Sequence, residues 1–545
     1  MNLAVVDIET NLSHDTIWMA GVYLPAQNES VHCATSSELS AALKDVDGIV
    51  GHNLLAFDLP VLRSVWGWAW DGAVHDTLVL GRLLDPPAKG GHSLKAWALR
   101  AGKELKEEFD AADFDKGLTD DMIRYCLQDC RANWDVYEHI DARLDKDGFS
   151  QQCRALEHAV AEATAQQVRN GFAFNFPAAC ILYCEHEERM REIEEELQAT
   201  FPPIVEERWS EKTGKRLKDS VTVFNVASRQ QVAERLAQKG AVWKDTTPSG
   251  KPKVDESTLK QNEHVPEAAL VLEYLTLQKR YGMLKSWLDA VQEDGRIHGR
   301  VNTCGAVTGR MTHSSPNMAQ IPSDSLYRQC FVAPAGSKLV GIDASGLELR
   351  MLAHYMNDAE YTDLILHGDI HTYNQQAAGL ETRAQAKTFI YAFLYGAGNA
   401  KIGSVVGGNA QLGAKLKERF LSNVPSLALL REKVITQADS GFLDGLDGRR
   451  LRVRSAHAAL NTLLQGAGAI VMKQAVIHLY ELLEHVDFKL VAQVHDEWQI
   501  ECHPEDAEYV GKAAVQAIIQ AGETFNLNCP LDGEYRIGSN WAETH

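Results

Sequence analysis

Short apolar runs broken by polar stretches fill the first roughly 140 residues: Leu3 to Val6, Gly48 to Val50 and Leu78 to Leu80. Helix-like segments such as Ser93 to Arg100 lie between them, and this alternation predicts one mixed α/β unit. From Leu156 to Gln198 the period turns helical. Tyr183, His186, Met190, Ile193 and Leu197 step by three and four, and the seven glutamates between residues 185 and 196 read as an exposed face. A second stripe, Leu270, Tyr274, Leu277, Tyr281, Leu284 and Leu288, has the same spacing, so the two helices are expected to pack lengthwise as an antiparallel pair. Between them, Lys212 to Ser220 reads as a short polar connection. The C-terminal part mixes strands, at Lys338 to Ile342 and Lys489 to Val494, with helices and shows no internal repeat.

Composition narrows the function classes. The 545 residues suggest about three to four domains. With 54 Lys plus Arg against 74 Asp plus Glu, the formal charge is −20, which excludes a uniformly basic coat. Any charge for nucleic acid must be local. Ten cysteines with no CxxC spacing read as reduced thiols. No apolar run approaches the roughly 18 residues of a membrane span, and Asp7 interrupts the N-terminal run before a secretory core could form. The cytoplasm is the expected location, with no membrane partner.

The first concentration of chemistry lies near the start. Asp7 and Glu9 are two apart at the end of an apolar run, so on a strand both carboxylates leave the same face. Two like charges so close call for a cation. Gly51-His52-Asn53-Leu54-Leu55-Ala56-Phe57-Asp58 adds a third acid, and Tyr125-Cys126-Leu127-Gln128-Asp129 adds a fourth, with a tyrosine one helical turn before it. Thr119 is placed to cap that helix, with Asp120 and Asp121 in its first turn. Four oxygen ligands suit a pair of Mg²⁺ ions, with Mn²⁺ as substitute, for phosphodiester hydrolysis in which Tyr125 orients the attacking water. His75 and His92 read as structural.

A second concentration follows the strand Lys338 to Asp343. Ser345 and Glu348 have the S-x-x-E spacing of a capping box, so Glu348 is either a helix-start residue or part of a site. Further on, His495-Asp496-Glu497 reads as a hairpin tip with two acids, lacking the Asn-Gly or Asp-Gly that such turns favour. Asp343 with Asp496 would make a two-carboxylate site for two Mg²⁺ ions. Arg383, Lys387, Tyr391 and Tyr395 fall at steps of four, a stripe about 18 Å long. Thr382 and Gln385 form a T-x-x-Q capping box at its start, where Arg383 and Lys387 can meet phosphates while the tyrosines offer flat faces to a base or sugar. The basic run Arg449 to Arg454 is by default a solvated face, with a nucleic-acid backbone as the alternative it would meet.

Asp-x-Glu, Asn-x3-Phe-Asp and Tyr-x3-Asp, in that order, resemble the tyrosine variant of the DEDD exonuclease superfamily. Asp343 to Arg350, Arg-x3-Lys-x3-Tyr-x3-Tyr-Gly and Val494-His495-Asp496-Glu497 resemble motifs A, B and C of family A DNA polymerases. Thr308-Gly309-Arg310, Asn317 to Pro322, Gly368-Asp369-Ile370-His371-Thr372 and His457 to Gln465 extend the likeness to phage replicative polymerases of the T-seven type.

The resemblance implies an RNase H-like exonuclease domain over 1–145 and a right-hand polymerase over 146–545. The thumb would span about 180–292, the palm about 146–179, 293–355 and 452–545, and the fingers about 356–451. It also implies that Asp343 and Asp496 bind metals, that Arg383, Lys387 and His371 hold the incoming dNTP, and that Glu348 and Tyr391 flank its sugar. Arg310, Gln465, His495 and Tyr395 would lie against the primer-template. The expected activity is template-directed DNA synthesis with 3′ to 5′ proofreading. Candidate partners are a phage helicase-primase or single-stranded DNA-binding protein. Thioredoxin is not expected, because only Lys212 to Asn225 stands where T-seven-type enzymes carry a long thumb insertion. The competing readings are a single-subunit RNA polymerase and a nuclease with a decayed polymerase half.

Overall fold

The structure is a computed structural model that describes residues 1–103 and 115–545. It divides into two units. One comprises Met1–Phe172, Gly299–Arg328 and Val332–His545; the other comprises Ala173–His298 with Gln329–Phe331.

At the start of the first unit, strands β1 (Leu3–Thr10), β2 (Ile17–Leu24), β3 (Glu29–Cys33), β4 (Gly48–Gly51) and β5 (Ala73–Asp76) form a sheet in the order β3-β2-β1-β4-β5. The first three are antiparallel, and β4 and β5 run parallel to β1. Because β1 is covered on both faces, it reads as an unbroken apolar run and not as an alternation. Helix α1 (Asp58–Trp66) follows β4, and α2 (Thr77–Leu84) follows β5. The apolar run Leu78 to Leu80 therefore lies in a helix, not a strand; three apolar residues cannot separate the two, and the Asp76 carboxylate that caps α2 decides it. Helix α3 (Asp120–Asp147) starts as the sequence indicates, with the Thr119 hydroxyl accepting from Met122 N at 3.1 Å. Helix α4 (Gln151–Asn170) continues from it.

The second unit contains the two long helices, α5 (Phe176–Thr200) and α6 (Pro266–Leu288). They pack antiparallel: Tyr183 stacks on Tyr281 at 4.2 Å between ring centroids, Arg189 pairs with Glu273, and Tyr274 donates to Glu194. Ile193, Leu197, Val271 and Tyr274 form the core between them, with Phe201 and Phe224. The segment read as a polar connection is flanked by a two-stranded ribbon, Ile204–Glu206 with Ser220–Thr222, and this region exposes Val205, Trp209 and Val221.

The rest of the first unit is built on a fully antiparallel sheet of β6 (Lys338–Ala344), β7 (Phe488–Val494), β8 (Glu497–Cys502) and β9 (Gly533–Gly538), in the order β7-β8-β6-β9. Around it stand α7 (Leu347–Met356), α8 (Ile370–Ala378), α9 (Arg383–Leu394), α10 (Ala459–Leu482) and α11 (Ala507–Thr524). One apolar cluster joins them, including Ile342, Leu352, Phe389, Val471, Trp498 and Ile518. The basic run is a correction. Arg449 is buried on Glu157 and Asp447 and holds the fold together, while Arg450 pairs with Asp444 and Arg452 reaches Asp85 at 3.1 Å nearer the surface. Among the described residues no helix is long and apolar enough to cross a membrane.

Candidate active sites

Four carboxylates converge at the end of β1. Asp7 and Glu9 project from one face of the strand, and Asp58, first residue of α1, accepts the Ile8 N–H at 3.2 Å. Asp129 comes from α3, where Tyr125 one turn earlier hydrogen-bonds it. Burial raises the pKa of all four acids, and at Asp7, Glu9 and Asp58 the neighbouring carboxylates add to it. Asp7 is raised to about 7 by burial and by Asp129, and Glu9 to about 9 by burial, Asp7 and Asp129. Asp58 is pushed well up by burial and Asp7, and Asp129 rises to about 6 through burial. Burial together with Asp129 raises the Tyr125 hydroxyl strongly. Among the described residues, Asp129 Oδ1 is buried without a hydrogen-bond partner. An all-oxygen donor set, crowded and short of partners, fits hard divalent cations. The sequence reading missed Cys126, whose thiol lies 3.8 Å from Asp7 Oδ2, close enough to gather with Asp7 and Glu9 around one point.

The second site sits at the end of the antiparallel sheet. Asp343 is the penultimate residue of β6, and Ala344 N donates to Asp496 O at 3.0 Å, which ties that strand end to the β7–β8 turn. The turn is two residues, His495 and Asp496, with His495 at φ 59°, a conformation that such turns normally give to glycine or asparagine. Glu497 is not at the tip. It is the first residue of β8, points inward and is buried against Arg328 and Trp541. Asp343 is raised to about 7 by burial and then by Asp496, with Glu497 and Glu534 adding to it. Asp496 is raised by burial and by Glu348.

Glu348 does not close a capping box. Gly346 starts α7 in the left-handed conformation, with no side-chain cap, so Ser345 falls outside the helix. The freed carboxylate accepts from Tyr395 Oη at 3.0 Å and from Arg310 at 3.4 Å. Arg310, Glu348, His495 and Asp496 line one pocket, whose far wall is α10 at Gly468 and Ala469. Gln465 lies one turn before that wall, half-buried. His313, also missed in the sequence, is buried where the charge of His495 helps lower its pKa.

The α9 stripe forms as expected, with both bonds of the Thr382–Gln385 capping box present. Arg383 and Lys387 are exposed near its N-terminus, and their charges help burial lower the pKa of His371 on α8. Among the described residues the buried His371 Nδ1 has no partner, and its ring lies 6.4 Å from that of Tyr391. Asp369, missed as a functional residue, holds Arg383 Nε at 2.8 Å. Tyr391 is half-buried and its pKa is raised by burial, Glu348 and Asp496, so the stripe runs from the cationic cluster to the acids. The roles implied for these residues thus concern two groups joined by one helix.

Residues 188–543 match DNA polymerase family A. The chain belongs to that family. It is a DNA-directed DNA polymerase, 33% identical over 706 aligned positions to the DNA-directed DNA polymerases of Enterobacteria phage T3 and Escherichia phage T7, with the whole of each chain covered. The aligned length exceeds this chain's 545 residues, so these relatives carry stretches that it lacks. The polymerase domain of Pol1 from M. smegmatis, solved with DNA primer-template and dNTP, shares the fold. Its TM-score is 0.82 at 20% identity, covering 99% of this chain and 96% of that one.

Proposed function

We propose that this polymerase extends a DNA primer from dNTPs at Asp343 and Asp496 and excises mispaired 3′ ends at Asp7, Glu9, Asp58 and Asp129, with two divalent cations at each site. The observation that carries this reading is the pair of separate carboxylate clusters, each with acids whose pKa is raised by burial and then by neighbouring carboxylates, the second joined by one helix to a cluster of cations. Mg²⁺ bound by these acids supplies the charge that activates the attacking oxygen and stabilises the leaving one.

The chain's own groups do the positioning. On the first turns of α9, Arg383 forks onto the triphosphate, which takes the place Asp369 holds beside it, and Lys387 adds a point charge. His371 offers its unpaired Nδ1 to the same phosphates. Glu348 and Tyr391 flank the sugar, while Arg310, Tyr395, Gln465 and His495 lie against the primer-template. At the other site, Tyr125 on Asp129 orients the attacking water. The enzyme works in the cytoplasm, of a bacterial host if it is phage-encoded, beside a helicase-primase or single-stranded DNA-binding protein. Primer extension with dNTPs against NTPs, run with excision of an end-labelled single strand, tests the reading; ribonucleotide incorporation at equal rate would mean an RNA polymerase.

Three expectations follow from particular residues. Tyr391→Phe should lower dideoxynucleotide incorporation relative to dNTP; equal termination by both proteins would leave Tyr391 a packing residue. Added thioredoxin should leave product length per binding event unchanged, because the stretch between α5 and Phe224 is too short for a docking platform of its own. Longer products with thioredoxin would refute this.

The third expectation concerns pH. The acids bind protons more tightly folded than unfolded, so without cations their contribution to stability is present below about pH 4 and is lost as pH rises through about 6 to 9. Mg²⁺ should therefore raise the melting temperature more at about pH 8 than at about pH 5.5. An equal gain at both would count against cation binding by these acids.

A further inference from the structure

The guanidinium of Arg383, at the start of α9, is already occupied. Its Nε donates to Asp369 Oδ2 at 2.8 Å, and Asp369 is its only carboxylate partner among the described residues. The bond joins the N-terminal ends of two helices, because Asp369 is the residue that caps α8 and Arg383 is the first residue of α9. Arg383 and Lys387 are the two cations on the first turns of α9, so this one carboxylate offsets half of the charge that those turns present to an anion.

Asp369 is held from three other directions. Its Oδ1 accepts the N–H groups of His371 and Thr372 at 3.1 and 3.3 Å, and its Oδ2 accepts the Thr372 hydroxyl at 2.7 Å. Those bonds fix the carboxylate whether or not the arginine stays. Arg383, by contrast, is a long side chain on a single bond, 57% exposed against 44% for Asp369. Exposed ion pairs of this kind are weak, and a guanidinium forks onto a phosphate as readily as onto a carboxylate. A polyphosphate brings several charges to the same place, so it can take Arg383 from Asp369, whereas a weakly charged ligand cannot. The Arg383 bond, and after it the Thr372 hydroxyl, hold the Asp369 carboxyl well below the usual carboxylate range, which keeps the competing anion ionised.

We propose that Asp369 is an internal stand-in for phosphate, which competes with the incoming triphosphate for Arg383 and reclaims the arginine as pyrophosphate leaves. This competition rests on the reading of Arg383 as a triphosphate ligand. It makes Asp369 a positioning residue that acts through Arg383, parking the guanidinium between turnovers beside the place where it is next needed. Substrate and product polyphosphate both bind less tightly than the bare cations of α9 would allow, and Arg383 yields to a triphosphate more readily than to a monophosphate. Product release gains from the same exchange, because the bond that pyrophosphate gives up is replaced by the one that Asp369 re-forms.

Asp369→Asn separates the charge from the cap. Asparagine caps helices as well as aspartate does, and its carbonyl keeps the bonds from His371 and Thr372, but its amide has only N–H groups to turn toward Arg383. By calorimetry on the full chain, Asp369→Asn should bind inorganic tripolyphosphate about threefold more tightly than the parent. On a primed template with Mg²⁺, KM for dNTP should fall about threefold with kcat within about twofold of the parent, and inorganic pyrophosphate should inhibit at about threefold lower concentration. A merely loosened cap would not tighten polyphosphate binding. Asp369→Ser, which also caps without charge, repeats the gain if the asparagine variant does not fold. In an Arg383→Gln background the gain from Asp369→Asn should disappear, because the competition has lost its object. An equal gain in both backgrounds would make Asp369 a source of general repulsion and overturn the proposal. So would equal or weaker polyphosphate binding by both Asp369 variants, which would make the carboxylate a brace that prepares Arg383. An Arg383→Gln variant that binds tripolyphosphate as tightly as the parent would instead refute the reading of Arg383 as a phosphate ligand, and the proposal with it.

Discussion

Asp343→Asn and Asp496→Asn should each lower primer extension by about three orders of magnitude while excision of single-stranded DNA stays within about twofold of the parent. Each substitution keeps the shape of the side chain and removes one charge from a pair held together by the Ala344 to Asp496 backbone bond. That bond uses backbone atoms, so the turn should survive. The loss should fall on kcat, because the dNTP phosphates are gripped elsewhere, by Arg383 and Lys387 on α9. The converse pair, Asp7→Ala with Glu9→Ala, should abolish excision and spare synthesis, because those acids stand on β1 in a different sheet. Both reactions are measured on one preparation with a mispaired and a paired primer. A folded variant that loses both activities would show that the two carboxylate clusters serve one site.

The four acids of the first site were legible because each spacing carries its own geometry. Two apart on a strand and four apart on a helix place side chains on one face whatever surrounds them, and Thr119 marks the helix start. The α9 stripe was legible for the same reason. Glu348 was not. Its spacing from Ser345 satisfies a capping box, and only the left-handed Gly346 moves the helix start past Ser345 and releases the carboxylate to Arg310 and Tyr395. Glu497 was misplaced at a hairpin tip because register is a property of two strands: pairing with Val494 and with Asp343 turns it inward. The basic run failed for a longer-range reason, since Glu157 and Asp85 lie hundreds of residues before the arginines they neutralise.

That neutralisation sets the largest expected stability effect. Glu157, Asp447, Arg449 and Lys473 are all at most 2% exposed and form a neutral group of two anions and two cations. Arg449 donates to Glu157 Oε1 at 2.6 Å and to both oxygens of Asp447, and Lys473 donates to the same Glu157 oxygen. The group pins α4 to α10 and to the loop before Arg450, so it lies beneath the wall that α10 gives the polymerase pocket. Glu157→Gln preserves volume but leaves two buried cations facing one anion. It should cost about 3–5 kcal/mol, the scale seen when one partner of a buried ion pair is removed. Adding Lys473→Met restores neutrality and should recover part of that loss. Chemical denaturation of parent, single and double variants measures both steps. A single variant within about 1 kcal/mol of the parent would mean that water reaches these charges and that the arginines are solvated, as the run first suggested.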